Sequence, residues 1–453
     1  MATLLERFRR HVTRLGLFPE PGIAIVAVSG GPDSVALLDL MQVVAPELGL
    51  ALVVAHADHQ IRSDSRTVGQ SVRDLSQRYG LPFELGELGL GPDATETVAR
   101  RARYGWLAQV RRRHGAPYLV LGHTRDDQVE TILMRVLRGS APAGLAAMAP
   151  RGRGGRVRPL LAFTKAELAA HDAERRLPAH ADPANADPRH LRSWLRTTLL
   201  PLIVARLGER ATDDLLRAGK AAALERRAWD GLLHELPQLH FRRVPRGCEV
   251  ARDRVARYDD AVAVALLRAA ARRVGLVLGM RAARRLLGLA RRGLSGRRMP
   301  LGRGWTAEVA FDALRLVRDV GCAAPQIVAS AERGSAVFGD FHVHWAPAPA
   351  PLHVPRADWT TWIAGAEWEL RGPRAGDRVM PLGGVGRRAV RRLLMEARVP
   401  RGERAAYPVV VRGETILWVP GICRSRDDLP RPGTPAVRLD VTKRGEPQAD
   451  RRA

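Results

Sequence analysis

One stretch near the start of the chain limits the fold more than any other. It reads AIVAVSGGPDSVALLDL, residues 24–40, and in it an apolar run typical of a buried strand passes directly into an apolar helical pattern. Glycine N–H groups that no side chain covers, together with the positive end of a helix dipole, suit a phosphate group. No Gly-Lys-Ser/Thr follows, so this is not a Walker loop. The alternative is a tight turn that uses Gly and Pro only for its geometry.

Apolar runs and helical patterns alternate through the N-terminal part of the chain. Strands are predicted over 23–28, 50–58 and 117–123, and helices over 34–44, 63–79, 95–113 and 126–137. Continuously apolar strands separated by helices indicate a parallel sheet covered on both faces, which is an α/β fold. Ligands of such sheets bind beyond the carboxyl ends of the strands, and the polar clusters of this sequence follow those ends.

Changes of pattern further along the chain predict its domain organisation. We expect an α/β N-terminal domain with a parallel sheet, then a mainly helical middle domain that includes a hairpin turning near Asp312 and Ala313, and then a small α+β C-terminal domain. The predicted boundaries are 1–202, 203–330, a linker or irregular segment over 331–359, 360–442, and a disordered tail over 443–453.

The chain is strongly basic, with a formal net charge of +26 and 73 lysines and arginines, of which only Lys165, Lys220 and Lys443 are lysines. Such a charge favours a polyanionic partner, and nucleic acid is the first candidate. A bias in base composition would exchange lysine for arginine without changing this sign. Three widely spaced cysteines indicate neither a disulfide framework nor a zinc cluster. With no signal peptide and no run near the ~20 apolar residues of a membrane span, we expect a soluble cytoplasmic protein.

Two polar clusters follow predicted strands. The segment HTRDDQVET places Asp126 and Asp127 at the start of a helix, with Glu130 on the same face. Carboxylates there are suited to Mg²⁺ or to accepting a proton from an amine, while a helix cap is the alternative. His56, Asp58 and His59 at the end of the second strand suggest a metal cluster. Zinc is disfavoured because strand neighbours point to opposite faces and no fourth ligand has recognisable spacing.

Several segments carry a resemblance to known families. SGGPDS resembles the loop of the pyrophosphate-loop ATPases, which bind the pyrophosphate end of ATP and cleave between its α and β phosphates. Segments in one order resemble the tRNA(Ile)-lysidine synthetases: AHADHQIR, ARRARY, LGHTRDDQVETILMRVLRGSAPAGLAAM, RPLL and DPANADPRHLR. The similarity covers about 23–201 and recurs from RGPRAGDRVMPLGG onward in the C-terminal part. One departure is Ser193-Trp194, where the family usually has Asn-Arg.

The resemblance implies an adenine nucleotide alpha hydrolase-like N-terminal fold and a reaction. ATP, with Mg²⁺, would activate the wobble cytidine of the isoleucine tRNA with a CAU anticodon, and L-lysine would be joined to its C2. A homodimer is compatible with the sequence. A tRNA thiolase on the same ATPase fold and a catalytically idle tRNA-binding protein are the alternatives. The chain has no cysteine before Cys248, which counts against the thiolase, and the intact motifs count against an idle protein.

The resemblance also implies site residues. Nucleotide contacts are implied for Ser29, Gly30, Gly31, Pro32, Asp33, Ser34, His56, Asp58 and His123. Catalytic roles are implied for Asp33, Asp126, Asp127 and Glu130, with Asp33 and Asp127 also as Mg²⁺ ligands. Substrate contacts are implied for Arg100, Arg103, Asp182, Asn185, Arg192, Arg196, Arg387, Arg388, Arg391 and Arg392. The last four belong to a predicted helix RRAVRRLLMEARVP, whose basic face is expected to meet the tRNA backbone or, alternatively, only solvent.

Overall fold

The computed structural model describes residues 2–58, 65–91, 94–180, 191–319, 327–329, 333–365 and 367–444. The chain divides into two compact units, Met1–Arg226 and Arg227–Ala453, and the division falls inside one long helix. Among the described residues, no helix is both long and apolar enough to cross a membrane.

The first unit alternates strands and helices. Its strands are β1 Gly22–Ala27, β2 Leu50–Asp58, β3 Phe83–Glu87, β4 Tyr118–Leu121, β5 Arg151–Gly152 and β6 Arg156–Val157. Its helices are α1 Leu4–Arg14, α2 Pro32–Val44, α3 Ser65–Arg78, α4 Glu96–Arg113, α5 Arg125–Leu137, α6 Pro142–Leu145, α7 Lys165–Glu174, α8 Leu191–Trp194, α9 Leu200–Leu207 and the long α10 Arg210–Glu235. The three predicted strands and the four predicted helices are confirmed to within a few residues.

The strands form one sheet in the order β3-β2-β1-β4-β6-β5, parallel except for the β5–β6 pair. Ala27 at the end of β1 lies opposite Ala55 of β2 and Leu121 of β4, so these three strands end at one edge. Along β1, Ala24 and Val26 face one apolar cluster and Ile25 faces another, which covers both sides of the sheet. Strand β3 was not predicted because its FELGE sequence is short and carries two glutamates.

The second unit contains antiparallel sheets with helices packed against them. Its strands are β7 Arg242–Val244, β8 Gly247–Ala251, β9 Arg298–Gly302, β10 Trp305–Ala310, β11 Ala313–Arg318, β12 Ile327–Ala329, β13 Gly334–Phe338, β14 Phe341–Pro349, β15 Thr360–Ile363, β16 Trp368–Arg371, β17 Arg378–Val379, β18 Arg388–Ala389, β19 Val409–Arg412, β20 Thr415–Val419, β21 Cys423–Arg424 and β22 Pro435–Lys443. Its helices after α10 are α11 Arg252–Arg257, α12 Asp260–Arg273, α13 Met280–Arg292, α14 Val390–Glu396 and α15 Arg401–Arg404.

Two apolar cores organise this unit. Helices α11, α12 and α13 pack on the sheet β7-β8-β11-β10-β9, and the predicted hairpin is confirmed by the β10–β11 pair, in which Ala310 lies opposite Ala313. The second core lies among the sheets β12-β16-β19-β20-β21 and β13-β14-β22-β15. The backbone N–H of Gly402 donates to buried Glu308 at 3.0 Å and links residues of the middle and C-terminal segments.

The expectation of a linker or irregular segment over 331–359 is wrong. Strands β13 and β14 lie there, and β14 pairs with β22 over nine residues, with Val343 and Trp345 in the second core. Alternating apolar side chains bury one face of a strand even when alanine and proline occupy its exposed positions. The other boundaries stay predictions, and the tail beyond residue 444 lies outside the described residues.

Candidate active site

The loop after β1 is shaped by a glycine and two serine hydroxyls. Gly30 has a φ of +85°, and a Cβ there would lie 2.3 Å from Cγ1 of Val68, so only glycine fits. The Ser34 hydroxyl donates to the carbonyl oxygen of Gly31 at 2.8 Å and accepts the backbone N–H of Ser29 at 3.1 Å. Helix α2 starts at Pro32 with no side-chain cap. Pro32 has no N–H, and the N–H groups of Ser34 and Val35 donate to the carbonyl oxygen of Gly31, so within this first turn the N–H of Asp33 is the one left for an anion among the described residues.

The end of β2 carries a buried, neutral histidine. Nδ1 of His56 lies 2.9 Å from the carbonyl oxygen of Val28, and burial lowers the pKa of the imidazole below its usual value. Asp58 is also buried, at 7% exposure. No group of three metal-ligating His, Cys, Asp or Glu side chains occurs in the part of the chain that the structure describes.

Asp126 and Asp127 stand in the first turn of α5, and each has a structural partner. Oδ2 of Asp127 accepts the N–H of Thr124 at 3.0 Å and completes a capping box with the Thr124 hydroxyl. Oδ2 of Asp126 accepts the N–H of Lys165, the first residue of α7, at 2.8 Å. Helix capping, the alternative to a functional role, therefore engages Oδ2 of Asp127. Its Oδ1 contacts the side chains of Lys165 and Arg192 instead.

A lysine brings the two predicted metal ligands together. Nζ of Lys165 lies 3.0 Å from Oδ2 of Asp33 and 3.6 Å from Oδ1 of Asp127. Burial raises the pKa of Asp33, and Lys165 opposes that rise without cancelling it. Burial would also raise the pKa of Asp127, but Lys165 and Arg192 outweigh it, and this pKa is lowered. One ammonium group thus bridges carboxylates that follow β1 and β4.

Glu130 is enclosed by two arginines. Its side chain is 1% exposed, and its two oxygens each accept an Nε–H at 2.6 Å, one from Arg192 and one from Arg196. The same arginines reach Oδ1 of Asp127 at 3.0 and 3.8 Å. Both oxygens of this carboxylate are thus already occupied by guanidinium donors. The geometry therefore favours an anchoring role for Glu130 over the proton transfer that the resemblance implies.

His123 lies among arginine side chains. Its Nδ1 is buried with no hydrogen-bond partner among the described residues. Burial lowers the pKa of the imidazole to about 3; the charge of Asp127 acts to raise this pKa, and the charges of Arg158 and Arg100 act to lower it. The guanidinium groups of Arg100 and Arg103 lie 5.1 and 5.5 Å from the centre of the Tyr104 ring. The imidazole is therefore neutral near pH 7 and is surrounded by positive charge.

Comparisons with known proteins match nearly the whole chain. The family model described as PP-loop domain matches residues 4–203, and the TilS substrate C-terminal domain matches residues 368–441. A tRNA(Ile)-lysidine synthase of Symbiobacterium thermophilum is 32% identical over 98% of this chain and 98% of its own. Another, of Geobacter sulfurreducens, is 33% identical over 93% of each chain. The chain belongs to the tRNA(Ile)-lysidine synthase family. It is accordingly an enzyme, a ligase that forms a carbon–nitrogen bond.

Solved structures are also similar to parts of the chain. A crystal structure of a TilS C-terminal domain has 21% identity and a TM-score of 0.24, and covers 27% of this chain and all of that one. The U34-tRNA thiolase NcsA of Methanococcus maripaludis has 16% identity and a TM-score of 0.40, and covers 48% of this chain and 79% of that one.

The C-terminal arginines of this lysidine synthase family member lie differently from the prediction. Helix α14 starts at Val390, so Arg387 and Arg388 precede it, and Arg388 belongs to strand β18, which pairs with β17. The expectation that all four arginines belong to the helix is wrong because β-pairing takes the backbone there. Arg391 and Arg392 are in the helix and exposed. The predicted apolar seam of Val390, Leu393 and Leu394 is confirmed as buried.

The predicted residues Asp182 and Asn185 lie outside the described residues. Two residues that sequence reasoning missed are Lys165 and Arg158, whose side chain is buried and donates to the carbonyl oxygen of Ala149 at 2.9 Å. A signal existed for Lys165. It is one of three lysines in a chain with 73 basic residues, and it begins a helix, where the dipole disfavours a cation.

Proposed function

We propose that this chain uses ATP to join L-lysine to C2 of the wobble cytidine in the CAU anticodon of an isoleucine tRNA. The observation that carries the proposal is the approach of Asp33 and Asp127 to one ammonium group beside the uncapped glycine loop. The names of the relatives support the choice of tRNA. Because ATP, lysine and tRNA meet in the cytoplasm, we propose that the protein works there; a homodimer stays a prediction.

The loop fits the pyrophosphate end of ATP. Ser29 and Ser34 fix the backbone through hydroxyl contacts, and Gly30 allows a close approach that a side chain would prevent. The N–H of Asp33 at the start of α2 suits a phosphate oxygen, and the helix dipole adds to the attraction. We assign Ser29 to Ser34 to this contact, with His56, Asp58 and His123 around the rest of the nucleotide.

The residues also fit Mg²⁺. This ion prefers oxygen ligands and is usually bound by one or two carboxylates together with substrate phosphates rather than by a complete protein cage. Asp33 and Asp127 supply such a pair, and they already hold a cation, the Lys165 ammonium. Bound there, Mg²⁺ would neutralise charge on the phosphates.

Two steps account for the product. The C2 carbonyl oxygen of the cytidine attacks the α phosphorus of ATP, the bond to the β phosphate breaks, and pyrophosphate leaves. The ε-amine of lysine then attacks C2, the C2–O bond breaks, and AMP leaves with that oxygen. Adenylation is needed because an amide-like oxygen is a poor leaving group. We propose that Arg192 and Arg196, which Glu130 anchors, stabilise negative charge at the phosphate.

The lysine amine must lose a proton during the second step, and two acidic residues are candidates. Both oxygens of Glu130 are engaged by arginines, whereas Asp126 has one oxygen engaged, by the N–H of Lys165, among the described residues. We therefore propose Asp126 as the acceptor. Asp126→Asn should preserve pyrophosphate release, which belongs to the first step, and slow the release of AMP.

The C-terminal part is proposed to hold the tRNA. Arg387 and Arg391 are exposed there, and an exposed guanidinium group binds backbone phosphates readily. Arg388 and Arg392 both pair with Glu396, which offsets part of their charge. In the first unit, Arg100 and Arg103 are proposed as further contacts to the tRNA or to its activated phosphate.

The deciding experiment incubates the full chain with ATP, Mg²⁺, lysine and the CAU-anticodon tRNA. We expect AMP and a lysine-sized mass gain on one cytidine. Sulfur incorporation would favour the thiolase instead, although the chain has no cysteine before Cys248. ATP/pyrophosphate exchange without product would point to a missing second step, and no exchange at all would favour an idle tRNA-binding protein.

A further inference from the structure

We propose that Lys165 closes the Mg²⁺ position between Asp33 and Asp127 to free divalent cations until ATP arrives. The inference rests on the proposed function, since it concerns the metal site named there. Its basis is the ammonium group that lies 3.0 Å from Oδ2 of Asp33 and 3.6 Å from Oδ1 of Asp127. A cation of charge +1 thus already occupies the place in which two carboxylates would bind a metal ion.

Among the described residues, the ion-paired cluster combines three carboxylates, Asp33, Asp127 and Glu130, with three cations, Lys165, Arg192 and Arg196. The charges of these six side chains balance before any ligand binds. A bare Mg²⁺ entering here gains little, because Oδ2 of Asp33 and Oδ1 of Asp127 already lie close to a positive group. ATP changes the balance by adding negative phosphates, which call for further positive charge. Metal and nucleotide should therefore bind together.

The backbone beneath Lys165 is fixed, whereas its side chain can turn. The N–H of Lys165 donates to Asp126 at 2.8 Å, and Thr164 and Glu167 form a capping box at the start of α7. The side chain itself is 30% exposed, and four methylene groups give it several rotamers. The positive end of the helix dipole disfavours an ammonium group at this position. The two carboxylates hold it there, so a metal ion that neutralises them also releases it.

The test measures binding of Mn²⁺, as a probe for Mg²⁺, to the full chain without nucleotide or tRNA, by the paramagnetic resonance signal of free Mn²⁺. Wild type should bind weakly at this site. Lys165→Met, which removes the charge and keeps most of the volume, should bind Mn²⁺ roughly tenfold more tightly. Lys165→Arg should behave as wild type, since it keeps a cation beside the carboxylates.

Two controls assign any gain to this site. Lys220→Met makes the same chemical change at an exposed residue of α10 and should leave Mn²⁺ binding as in wild type. Asp33→Asn combined with Lys165→Met removes one predicted ligand and should abolish the gain. With ATP present, the advantage of Lys165→Met over wild type should shrink, because the phosphates then supply part of the attraction.

Two results would overturn the proposal. One is equal Mn²⁺ affinity in Lys165→Met and wild type. The other is tight Mn²⁺ binding by the wild type in the absence of ATP that is lost in Asp33→Asn. This second measurement uses no variant at Lys165, so it stays decisive if Lys165→Met fails to fold. Neither measurement involves tRNA or lysine. If wild type fails to join lysine to the tRNA but Lys165→Met binds Mn²⁺ more tightly, only the proposed function is contradicted. If wild type joins lysine but Lys165→Met shows no gain in Mn²⁺ binding, only this inference is contradicted.

Discussion

Glu130 and Glu396 are each held by a pair of arginines, but in different surroundings. Glu130 accepts an Nε–H from Arg192 and another from Arg196 at 2.6 Å, and its side chain is 1% exposed. In the C-terminal part, Glu396 lies 2.5 Å from Arg388 and 3.1 Å from Arg392, and its side chain is 42% exposed. The contact distances are similar, so the main difference between the two clusters is the burial of the glutamate.

Solvent decides what each cluster contributes. Water and salt screen the exposed pairs of Glu396, which leaves its arginines able to exchange that partner for a nucleic-acid phosphate. A buried carboxylate cannot lose its partners without leaving charges uncompensated. The first cluster is therefore suited to fixing geometry at an active site, and the second to reversible binding. The following predictions test this contrast from the largest effect to the smallest.

The first prediction concerns chemistry in the buried region. Asp33→Asn should reduce pyrophosphate release on the order of 100-fold, because an amide neither binds Mg²⁺ well nor balances the Lys165 ammonium. Binding of tRNA should hardly change, since Asp33 belongs to the phosphate loop. Pyrophosphate release at the wild-type rate would remove Asp33 from the site.

The second prediction compares the two glutamates directly. Glu130→Ala should lower the free energy of unfolding by roughly 2–3 kcal/mol, because it leaves two guanidinium groups, 30% and 31% exposed, without their carboxylate. Glu396→Ala should leave the unfolding temperature unchanged, since solvent already surrounds its arginines. Calorimetry of the full-length variants measures both. Equal effects would show that burial does not separate the clusters.

Glu130→Gln refines the same comparison. The amide keeps the shape and still accepts one arginine, but it has no charge with which to balance the pair. ATP binding should be retained and product formation slowed, as single-turnover measurements would show. Wild-type turnover would remove Glu130 from the active site.

The third prediction uses a buried carboxylate that has no cation. Asp172 on α7 is 6% exposed, and both of its oxygens are unpaired in the described structure. Burial, with Asp33 and Asp39 nearby, raises its pKa to about 7. A raised carboxyl pKa means that the folded state keeps a proton which the unfolded state has lost, so stability falls as the pH rises from about 4 to about 7.

Asp172→Asn removes this titration. The stability advantage of the variant over wild type should be about 2 kcal/mol larger at pH 8.5 than at pH 5.5. Wild type loses stability up to a pH of about 7, and roughly 1.5 pH units of that range lie above pH 5.5. Urea unfolding at the two pH values measures the difference, and Asp74→Asn, at an exposed aspartate of α3, is the matched control. A gain that does not depend on pH would contradict the interpretation.

The smallest effect is expected in the exposed region. Arg387→Ala with Arg391→Ala should weaken tRNA binding and reduce the slope of log affinity against log salt by roughly 0.7 to 0.9 per lost phosphate contact. ATP affinity should not move. Glu396→Gln should do the opposite and tighten tRNA binding slightly, because it frees Arg388 and Arg392. An unchanged salt slope would show that these arginines meet only solvent.

Local patterns predicted much of the first unit correctly. The apolar runs predict strands β1, β2 and β4. The glycine loop and the acidic start of α5 follow carboxyl ends of these strands, and those ends share one edge of the sheet because the strands are parallel. Composition misled where side chains are small. The Ala- and Pro-rich composition around 345–350 predicts a linker, although the backbone there pairs along β22 as far as Pro349. The helix pattern around Arg388 extended too far because periodicity does not report a competing strand pair.

The sequence by itself determined which groups this protein has for chemistry: a phosphate-binding loop, a pair of aspartates and an excess of arginine. Only the tertiary structure decided which of them meet. Lys165 reaches Asp33 from 132 positions away, and Arg192 reaches Glu130 from 62. Periodicity and turn chemistry describe neighbours along the chain, whereas these ion pairs depend on how the fold brings α2 next to α7 and α5 next to α8. The cation between Asp33 and Asp127 is therefore a property of the fold.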